Sequence, residues 1–370
     1  MNFDFTETQT MVRDTLQRFL KDRYDFESRQ KISRSEKGWS PEIWKAFAEE
    51  LGILGASFSE DQGGLGGGQI ENMIVMEEVG RSLVVEPYLS TVVIGGGFAR
   101  EYDRTDIVEG IIGGEMRIAF AWAEPKGRFD PDHVEVTAKE KDGGFVLNGH
   151  KAVVRDAPSA THLVVTARTG GGTTDAEGVS LFLIPADSAG VQRRDYPLVD
   201  GGIASEVYFE NAEVSHDALL GEAGKASATV RKVMDEAVVG LCAEAVGLMQ
   251  QMNELTQSYT KERKQFGVPI SKFQVLQHRM VDMFMEAEQA LSMTYMAVNK
   301  LPDTASVAMA KAKIGKGITF VGQNAVQLHG GNGISDEYAI GHYFKRGTIL
   351  EGQFGTTDHY LRRYERLTLG

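Results

Sequence analysis

The chain has 370 residues, of which 42% are hydrophobic and 25% charged, a composition typical of globular proteins. Its length predicts two or three lobes around a sizeable core. The net charge of −13 argues against a nucleic-acid partner, and any anionic small ligand would need a local cationic clamp. The single cysteine, Cys242, excludes an internal disulfide and a cysteine-based zinc cage.

The N-terminal segment does not resemble a secretion signal, which has a basic stretch followed by an apolar one. It begins with acidic residues and then shows helical periodicity. No segment reaches about 18 uninterrupted apolar residues, the length that a membrane-spanning helix requires. We therefore expect a cytoplasmic protein without a membrane partner.

Residues 1–116 predict an N-terminal helical domain broken into short helices by glycine clusters. One helix is marked at both ends, since Ser40 can cap it, Pro41 suits its first position and Gly52 suits its exit. Its apolar residues recur at helical spacing and form one face: Ile43, Trp44, Phe47, Ala48 and Leu51.

Residues 117–227 predict a middle domain built on an antiparallel sheet. Short runs rich in β-branched and aromatic residues are separated by Gly, Asp and Asn turns. The segment KDGG at 141–144 lies between two such runs and indicates a hairpin.

Residues 228–370 return to long helical patterns and predict a C-terminal helical bundle. The first pattern runs about 35 residues without an interior proline. In the second, a methionine-containing stripe is expected to lie in the core: Met280, Met283, Ala287, Leu291 and Val298. The fold class is therefore α+β, with helices, then a sheet domain, then a helical bundle.

Two segments of the bundle carry a resemblance to a known family. They read ERKQFGVPISKFQVLQHRMVDM at 262–283 and AVQLHGGNGISDEY at 325–338. With AEP at 123–125, LNGHK at 147–151 and a closing Gly-Thr turn, they resemble the acyl-CoA dehydrogenase family over essentially the whole chain. Segments at 22–31, 73–93 and 341–346 further resemble the small subunit of pimeloyl-CoA dehydrogenase-type heteromers.

The resemblance implies FAD as the cofactor and assigns contacts to the first segment. Arg263 would hold the pyrophosphate, Phe266 would pack on the cofactor and Gln274 would reach toward the adenine end. The guanidinium of Arg263, at the end of a long helix and just before Gly267, can donate paired hydrogen bonds to a pyrophosphate. Taken alone, Arg263 would be read as a solvated surface charge.

The second segment adds Gln327, Gly330 and Gly331, where the missing side chains let the backbone approach a phosphate closely. Taken alone, the glycines would be read as a helix C-cap. In the family these residues and the first segment complete the FAD site of a neighbouring chain. Thr356, in the final Gly-Thr turn, belongs instead to the residues that hold the flavin ring of the same chain.

The same-chain residues depart from the family pattern. Ala123 and Phe129 stand where hydroxyl residues meet the flavin and substrate, Val153 replaces a tryptophan, and Arg155 replaces another hydroxyl. Phe354 occupies the position of the glutamate base, immediately before the Gly-Thr turn, and it cannot accept a proton. Losing a positioned base costs roughly 10²–10⁴-fold in rate. We expect a pocket bounded by Phe354, Val153 and Phe129 that is narrowed and that no carboxylate faces.

Some family members carry the base on the long helix, 26 residues before the position of Arg263. That count gives Ala237, followed by Val238 and preceded by Asp235 and Glu236. One residue turns a helical side chain by about 100°, so Glu236 should point away unless a bulge restores it. Glu236 is thus a weak candidate for the base.

The histidines considered do not share the spacing of a metal site, and no metal is expected. They are His150, His162, His216, His278, His329, His342 and His359.

Three hypotheses remain open. In the first, the chain is a catalytically degenerate small subunit that completes the FAD site of a larger paralogue, which holds most of the acyl-CoA. In the second, it is a self-sufficient homo-oligomeric dehydrogenase that uses Glu236. In the third, it is a non-enzymatic scaffold of the same fold. The family's reaction is α,β-desaturation of an acyl-CoA thioester, with electron-transfer flavoprotein as the expected acceptor.

Overall fold

The computed structural model describes residues 5–369 and begins with a helical region whose sequence signals are realised locally. Ser40 accepts the amide of Ile43 at the start of its helix, and Pro41 takes the first helical position, as predicted. A π-helix over Leu89–Gly95 leads into the fifth helix. The helices of this region are α1 (Glu7–Arg23), α2 (Phe26–Ser33), α3 (Pro41–Glu49), α4 (Gln69–Ser82), α5 (Gly96–Glu101) and α6 (Thr105–Ile112).

The middle region is a sheet with the order β6-β7-β3-β2-β4-β5-β8, and β1 pairs with β4 outside this path. The hairpin predicted at 141–144 joins β2 to β3, with Asp142 and Gly143 at positive φ of 40° and 86°. The strands are β1 (Ile118–Ala121), β2 (Thr137–Lys141), β3 (Gly144–Arg155), β4 (His162–Arg168), β5 (Val179–Pro185), β6 (Val191–Pro197), β7 (Ile203–Ser215) and β8 (Leu219–Leu220).

The sheet is mixed, whereas the sequence predicted an antiparallel one. Ile118 of β1 pairs with His162 of β4 in parallel register, and β2 meets β4 in parallel at Thr137 and Arg168. All other pairings among β2–β8 are antiparallel. A parallel pair needs a long connection rather than a tight turn, and the chain between β1 and β4 supplies one. No local sequence signal marks such a pairing.

The C-terminal region is organised around α7, a 36-residue helix. Its stretch from Ala237 to Met249 is buried on all sides, because α4, α8, α9 and α10 pack around it. In the predicted stripe of α8, Met283, Ala287 and Val298 are buried, while Met280 and Leu291 are partly buried against the same core. The elements are α7 (Ser227–Glu262), β9 (Lys264–Gln265), β10 (Val268–Pro269), α8 (Gln274–Lys300), α9 (Thr304–His329), α10 (Ala339–Gly352) and α11 (Thr357–Leu369).

A cluster of buried charges joins the three regions, and we call it the interdomain ion cluster. Asp200, in the loop after β6, pairs with Arg155 at 2.8 Å and with Arg346 of α10 at 2.9 Å. Arg346 also donates to Glu244 of α7 at 2.7 Å. Arg29 of α2 donates to the Asp200 carbonyl at 2.6 Å. The cluster therefore ties the first helical region, the sheet and the bundle at one point.

The electrostatics of the cluster keep its members charged. Burial alone would raise the pKa of Asp200, but Arg155 and Arg346 outweigh it and hold that pKa well below its usual range. Burial would lower the pKa of Arg346, and Glu244 and Asp200 reverse that shift and raise it. A buried ion pair is costly to break because the remaining partner stays desolvated.

Within residues 5–369, none of the helices is both long enough and apolar enough to cross a bilayer.

The cluster predicts the effect of Asp200→Asn. We expect the free energy of unfolding at neutral pH to fall by about 3–5 kcal/mol, since two guanidinium groups lose a buried counter-charge. The folded-state pKa of Asp200 lies below its unfolded value, so its stabilisation is complete above roughly pH 3.9 and is lost as the pH falls. Denaturant titrations of both proteins between pH 7 and pH 3 measure the difference.

The control is Asp106→Asn, which removes an ion pair of 2.6 Å whose Asp side chain is 62% exposed. That change should cost less than about 1 kcal/mol. Equal losses for the two variants, or a gap between Asp200→Asn and the parent that widens on acidification, would contradict the role given to the cluster.

Candidate functional site

An apolar cavity of about 410 Å³ lies where β1, the C-terminal end of β3 and the end of α10 meet, and we call it the chamber. Phe129, Val153 and Phe354 all line it, as the sequence predicted. Its other walls include Trp122 and Ile94, and its cationic groups are two arginines. Among the residues lining the chamber there is no Asp or Glu. The chamber therefore offers apolar surface and positive charge, but no proton acceptor of the carboxylate type.

Phe354 forms a wall of the chamber. Its ring centre lies 5.8 Å from that of Trp122, and its carbonyl accepts a hydrogen bond of 3.1 Å from the Tyr360 hydroxyl. Phe354 also lines a second cavity of about 320 Å³ on its other side, which we call the groove. Arg231, Arg363 and other polar side chains line the groove. Phe354, predicted from the sequence to occupy the family's base position, thus lines both an apolar cavity and a charged one.

The backbone of the chamber is strained at three points. Arg128, Val153 and Phe354 have φ of 50°, 50° and 58°, in the left-handed region that non-glycine residues avoid. For the β-branched Val153 this conformation is a genuine outlier. Each such residue costs roughly 1–3 kcal/mol and persists where its surroundings fix it. Val153 is fixed in part by its amide, which donates to Glu206 at 3.3 Å.

Glu236, the weak candidate for the base, faces the N-terminal helices. Its carboxylate accepts hydrogen bonds from Gln69 of α4 at 2.5 Å and from Arg100 of α5 at 3.0 Å. Burial raises its pKa, with Arg100 opposing that shift. Glu236 lines neither the chamber nor the groove. Its placement agrees with the 100° step that separates it from Ala237.

Asp235 lies on the groove side of α7, but its oxygens are occupied. It accepts from Arg363 at 2.7 and 3.0 Å and from the Thr304 hydroxyl at 3.0 Å. Ala237 and Val238, at the alternative base position, are fully buried and have no ionisable group. Neither acid beside that position therefore presents an unengaged carboxylate to the chamber. The Arg363 contact joins residues 128 positions apart, which no sequence signal indicated.

The residues assigned to the first family segment lie at the exposed end of α7 and in the hairpin that follows. Arg263 is exposed, and its guanidinium makes no ion pair or hydrogen bond with the residues described. The Phe266 side chain is 90% exposed and packs edge-on against Phe273 at 6.1 Å. Gln274 is exposed at the first position of α8. An unpaired cation beside a bare aromatic ring is suited to binding another molecule.

The residues of the second segment lie at the end of α9. Gln327, Gly330 and Gly331 are exposed, and α9 ends immediately before the two glycines. Gly330 has φ of 59°, so its own conformation favours glycine. Gly331 has no such φ, and a Cβ added to either residue would meet no atom within 4 Å. Packing within the chain therefore gives no reason for a glycine at 331.

The ends of α7 and α9 are in contact, although no sequence signal indicated a residue that connects them. Tyr259, one turn before Arg263, stacks on His329 with ring centres 4.4 Å apart. The tyrosine hydroxyl accepts a hydrogen bond of 3.2 Å from the Asn332 side chain. We call the exposed group Arg263, Phe266, Gln274, Gln327, Gly330 and Gly331 the clamp.

Thr356 stands apart from the clamp. Its hydroxyl accepts the amide of His359 at 3.3 Å near the start of α11, and it is half-buried. It lines a surface cavity of about 700 Å³ together with Arg128 and Phe129. The predicted cofactor residues therefore fall into two groups, one at the clamp and one beside the chamber.

One carboxylate–histidine group escaped the sequence analysis. Ligand atoms of Glu124, His133 and Glu135 lie within 4.8 Å of one another. Glu124, however, already accepts from the buried Lys151 at 2.7 Å, and Lys126 lies 3.4 Å from Glu135. Two ammonium groups thus compensate the negative charge that would attract a cation. His133 carried no local motif that could have singled it out.

Comparison with known proteins identifies the family. Residues 6–97, 119–212 and 227–366 match the N-terminal, middle and C-terminal domains of acyl-CoA dehydrogenases. The chain belongs to the acyl-CoA dehydrogenase family. It is 29% identical to the probable acyl-CoA dehydrogenase YngJ of Bacillus subtilis, over 97% of both chains. It is 30% identical to the mitochondrial isovaleryl-CoA dehydrogenase of Oryza sativa subsp. japonica, over 85% of this chain and 80% of the relative.

Solved structures agree with this assignment. A structure named Tcur3481-Tcur3483 steroid ACAD superposes with a TM-score of 0.88 at 27% identity, over 98% of both chains. PigA with FAD and proline superposes with a TM-score of 0.90 at 25% identity, over 99% of both chains. The predicted family and the helix–sheet–helix fold class are confirmed. FAD, the predicted cofactor, is the one bound in the PigA structure.

The strain at Val153 generates a stability prediction. Val153 is 56% exposed, so Val153→Gly loses little burial while relieving a β-branched residue at positive φ. We expect the free energy of unfolding to rise by about 1 kcal/mol, because the relieved strain exceeds the entropic cost of glycine. Thermal and denaturant unfolding measure this change.

The matched control is Val199→Gly, at a valine that is 62% exposed and has no positive φ. That variant should lose roughly 0.5–1 kcal/mol. If both glycine variants were destabilised to the same extent, Val153 would not be strained in solution.

Proposed function

We propose that this chain is a subunit of an FAD-dependent acyl-CoA dehydrogenase and completes the FAD site of a partner without desaturating a substrate itself. One contrast carries the proposal: the clamp is exposed and unpaired, whereas the chamber has no carboxylate. When bound, FAD would supply the hydride acceptor for the β-carbon of an acyl-CoA, and a protein base would be needed to take the α-proton. This chain would help to hold FAD but would not supply the base.

The clamp fits an FAD that is seated mainly on another chain. Arg263 would face the pyrophosphate, and its charge matters because the chain as a whole carries −13. Gly330 and Gly331 would let backbone approach the cofactor, since no atom of this chain occupies the space beside them. Phe266 would cover an apolar part of the ligand. All of these residues are exposed on their own chain, as contributions to a neighbouring site must be.

The chamber does not fit a working flavin and thioester pair. Phe354 packs toward Trp122, and no lining residue can take a proton as a carboxylate would. Asp235 is held by Arg363, and Glu236 is turned to the N-terminal helices. A proton released beside Phe354 would therefore have no base to receive it.

The partner would be a larger acyl-CoA dehydrogenase paralogue that holds the base and most of the acyl-CoA. Similarity to the Tcur3481-Tcur3483 steroid ACAD, whose name joins two proteins, supports a heteromer. Another similar structure, at 26% identity and a TM-score of 0.91, is named for the electron transferring flavoprotein of Acidaminococcus fermentans. It supports an electron-transfer flavoprotein as the acceptor. The assembly would work in the cytoplasm. Within it, this chain would be a small subunit of the pimeloyl-CoA dehydrogenase type.

The division of labour predicts opposite outcomes for two variants in the complex reconstituted with the paralogue. Arg263→Ala should weaken FAD binding roughly ten- to a hundredfold and lower turnover, because a charge-assisted fork to the pyrophosphate contributes about 1.5–3 kcal/mol. Phe354→Ala should leave turnover nearly unchanged and lower only the stability of this subunit. FAD content and turnover are measured on both complexes side by side.

Loss of turnover in Phe354→Ala with the fold intact, together with normal FAD content in Arg263→Ala, would reverse the assignment. The self-sufficient alternative has its own test. Desaturation by the isolated chain that disappears in Glu236→Gln would establish it.

Gly331 gives a second test of the clamp. Gly331→Ala should leave the melting temperature within experimental error, because the added methyl group meets no atom of this chain. It should nevertheless reduce FAD retention in the complex roughly tenfold if the cofactor approaches this backbone.

Gly170→Ala is the control, since that glycine also has open space around it and no positive φ, but lies in the middle domain. It should change neither quantity. Unchanged FAD retention in Gly331→Ala would remove the second segment from the clamp.

A further inference from the structure

We propose that Tyr259 is a positioning residue that fixes the two halves of the clamp relative to each other. This inference rests on the proposed function, because it assumes that the clamp binds FAD. One half is Arg263 with the hairpin β9–β10, and the other is the Gly330–Gly331 turn after α9. They come from α7 and α9, which are separated in the sequence but pack against each other, and a contact at the ends of the two helices bears on how the halves face each other.

Tyr259 makes that contact through two of its parts. Its ring stacks on His329, the last residue of α9, at 4.4 Å and an interplanar angle of 23°. Its hydroxyl accepts a hydrogen bond of 3.2 Å from Asn332. His329 and Asn332 are the residues on either side of the two glycines. A single side chain therefore holds both flanks of the turn.

The backbone of Tyr259 fixes the other half. Its carbonyl accepts the Arg263 amide at 2.9 Å, and the Arg263 carbonyl accepts the Ile270 amide at 2.8 Å. Arg263 is thus tied to Tyr259 on one side and to the end of its hairpin on the other. Displacing the Tyr259 ring would shift the origin of the guanidinium relative to the glycine turn.

His329 is itself well placed to receive the ring. It is buried, and its Nδ1 lies 2.8 Å from the Ala325 carbonyl, which accepts its hydrogen. Burial lowers its pKa, so it presents a neutral imidazole face near pH 7. An offset stack of two such rings resists both sliding and tilting. Tyr259 is half-buried and packs with no cluster of the hydrophobic core, so core packing does not account for its position.

The test uses the complex with the paralogue and FAD as the titrated ligand. Tyr259→Leu should weaken FAD binding roughly three- to thirtyfold, as expected when a residue in a coupled network is removed. Tyr259→Phe keeps the stack and loses only the Asn332 bond, so its effect should be less than about threefold. Tyr208→Leu is the matched control, because Tyr208 stacks on His150 with ring centres 4.3 Å apart in the middle domain.

A double-mutant cycle with Arg263→Ala separates positioning from plain destabilisation. The compared quantity is the factor by which Tyr259→Leu weakens FAD binding. This factor should be at least threefold smaller in the Arg263→Ala background than with Arg263 present, because one of the two halves that Tyr259 aligns is gone. The melting temperature of Tyr259→Leu should fall no further than that of Tyr208→Leu.

The outcomes distinguish the two proposals. If Arg263→Ala alone retains normal FAD affinity, the proposed function fails. If Arg263→Ala weakens binding and Tyr259→Leu does not, only the inference about Tyr259 fails. Strictly additive effects in the cycle, or an equal loss of FAD in Tyr208→Leu, would also overturn that inference.

Discussion

The paired charge of Asp200 is the constraint on which the arrangement of this molecule depends. Its side chain is fully buried, and the guanidinium groups of Arg155 and Arg346, together with the Gly202 amide, make such a carboxylate tolerable. Arg346 needs Glu244 of α7 in turn, and Arg29 of α2 holds the Asp200 carbonyl. Because desolvated charges tolerate little displacement, the three regions are held in one geometry at this point.

That geometry reaches the chamber directly. Arg155 belongs both to the interdomain ion cluster and to the chamber lining, and Arg346 lies on the same helix, α10, that leads to Phe354. The interdomain ion cluster therefore helps to position the walls of the chamber. This explains how three non-glycine residues can remain at positive φ there, since strain of that kind persists only where the surroundings determine the conformation.

Local patterns predicted the elements of the fold, and distant pairings lay beyond them. The cap at Ser40, the hairpin at 141–144 and the length of α7 follow from signals within a few turns of chain. The parallel pairing of β1 with β4 and the contact of Arg29 with Asp200, 171 residues away, have no local signal. At the site, the sequence alone showed that position 354 carries a phenylalanine and therefore no carboxylate. The engagement of Asp235 by Arg363 was not evident from the sequence, because it depends on how α11 packs.

The chamber and the clamp differ in what maintains them. The chamber keeps a demanding backbone but lacks an acid, so its shape can survive on the interdomain ion cluster without any chemistry inside it. The clamp is held less firmly, because Phe266 is exposed with one edge contact to Phe273 and the Arg263 guanidinium has no partner among the residues described. The Tyr259–His329 stack and the Tyr259–Asn332 hydrogen bond join the two halves of the clamp within the fold of this chain. Residues that give their own chain so little stability acquire a physical role only when another molecule covers them. This difference between the clamp and the chamber favours a subunit that helps to bind a neighbour's cofactor over a scaffold that binds nothing.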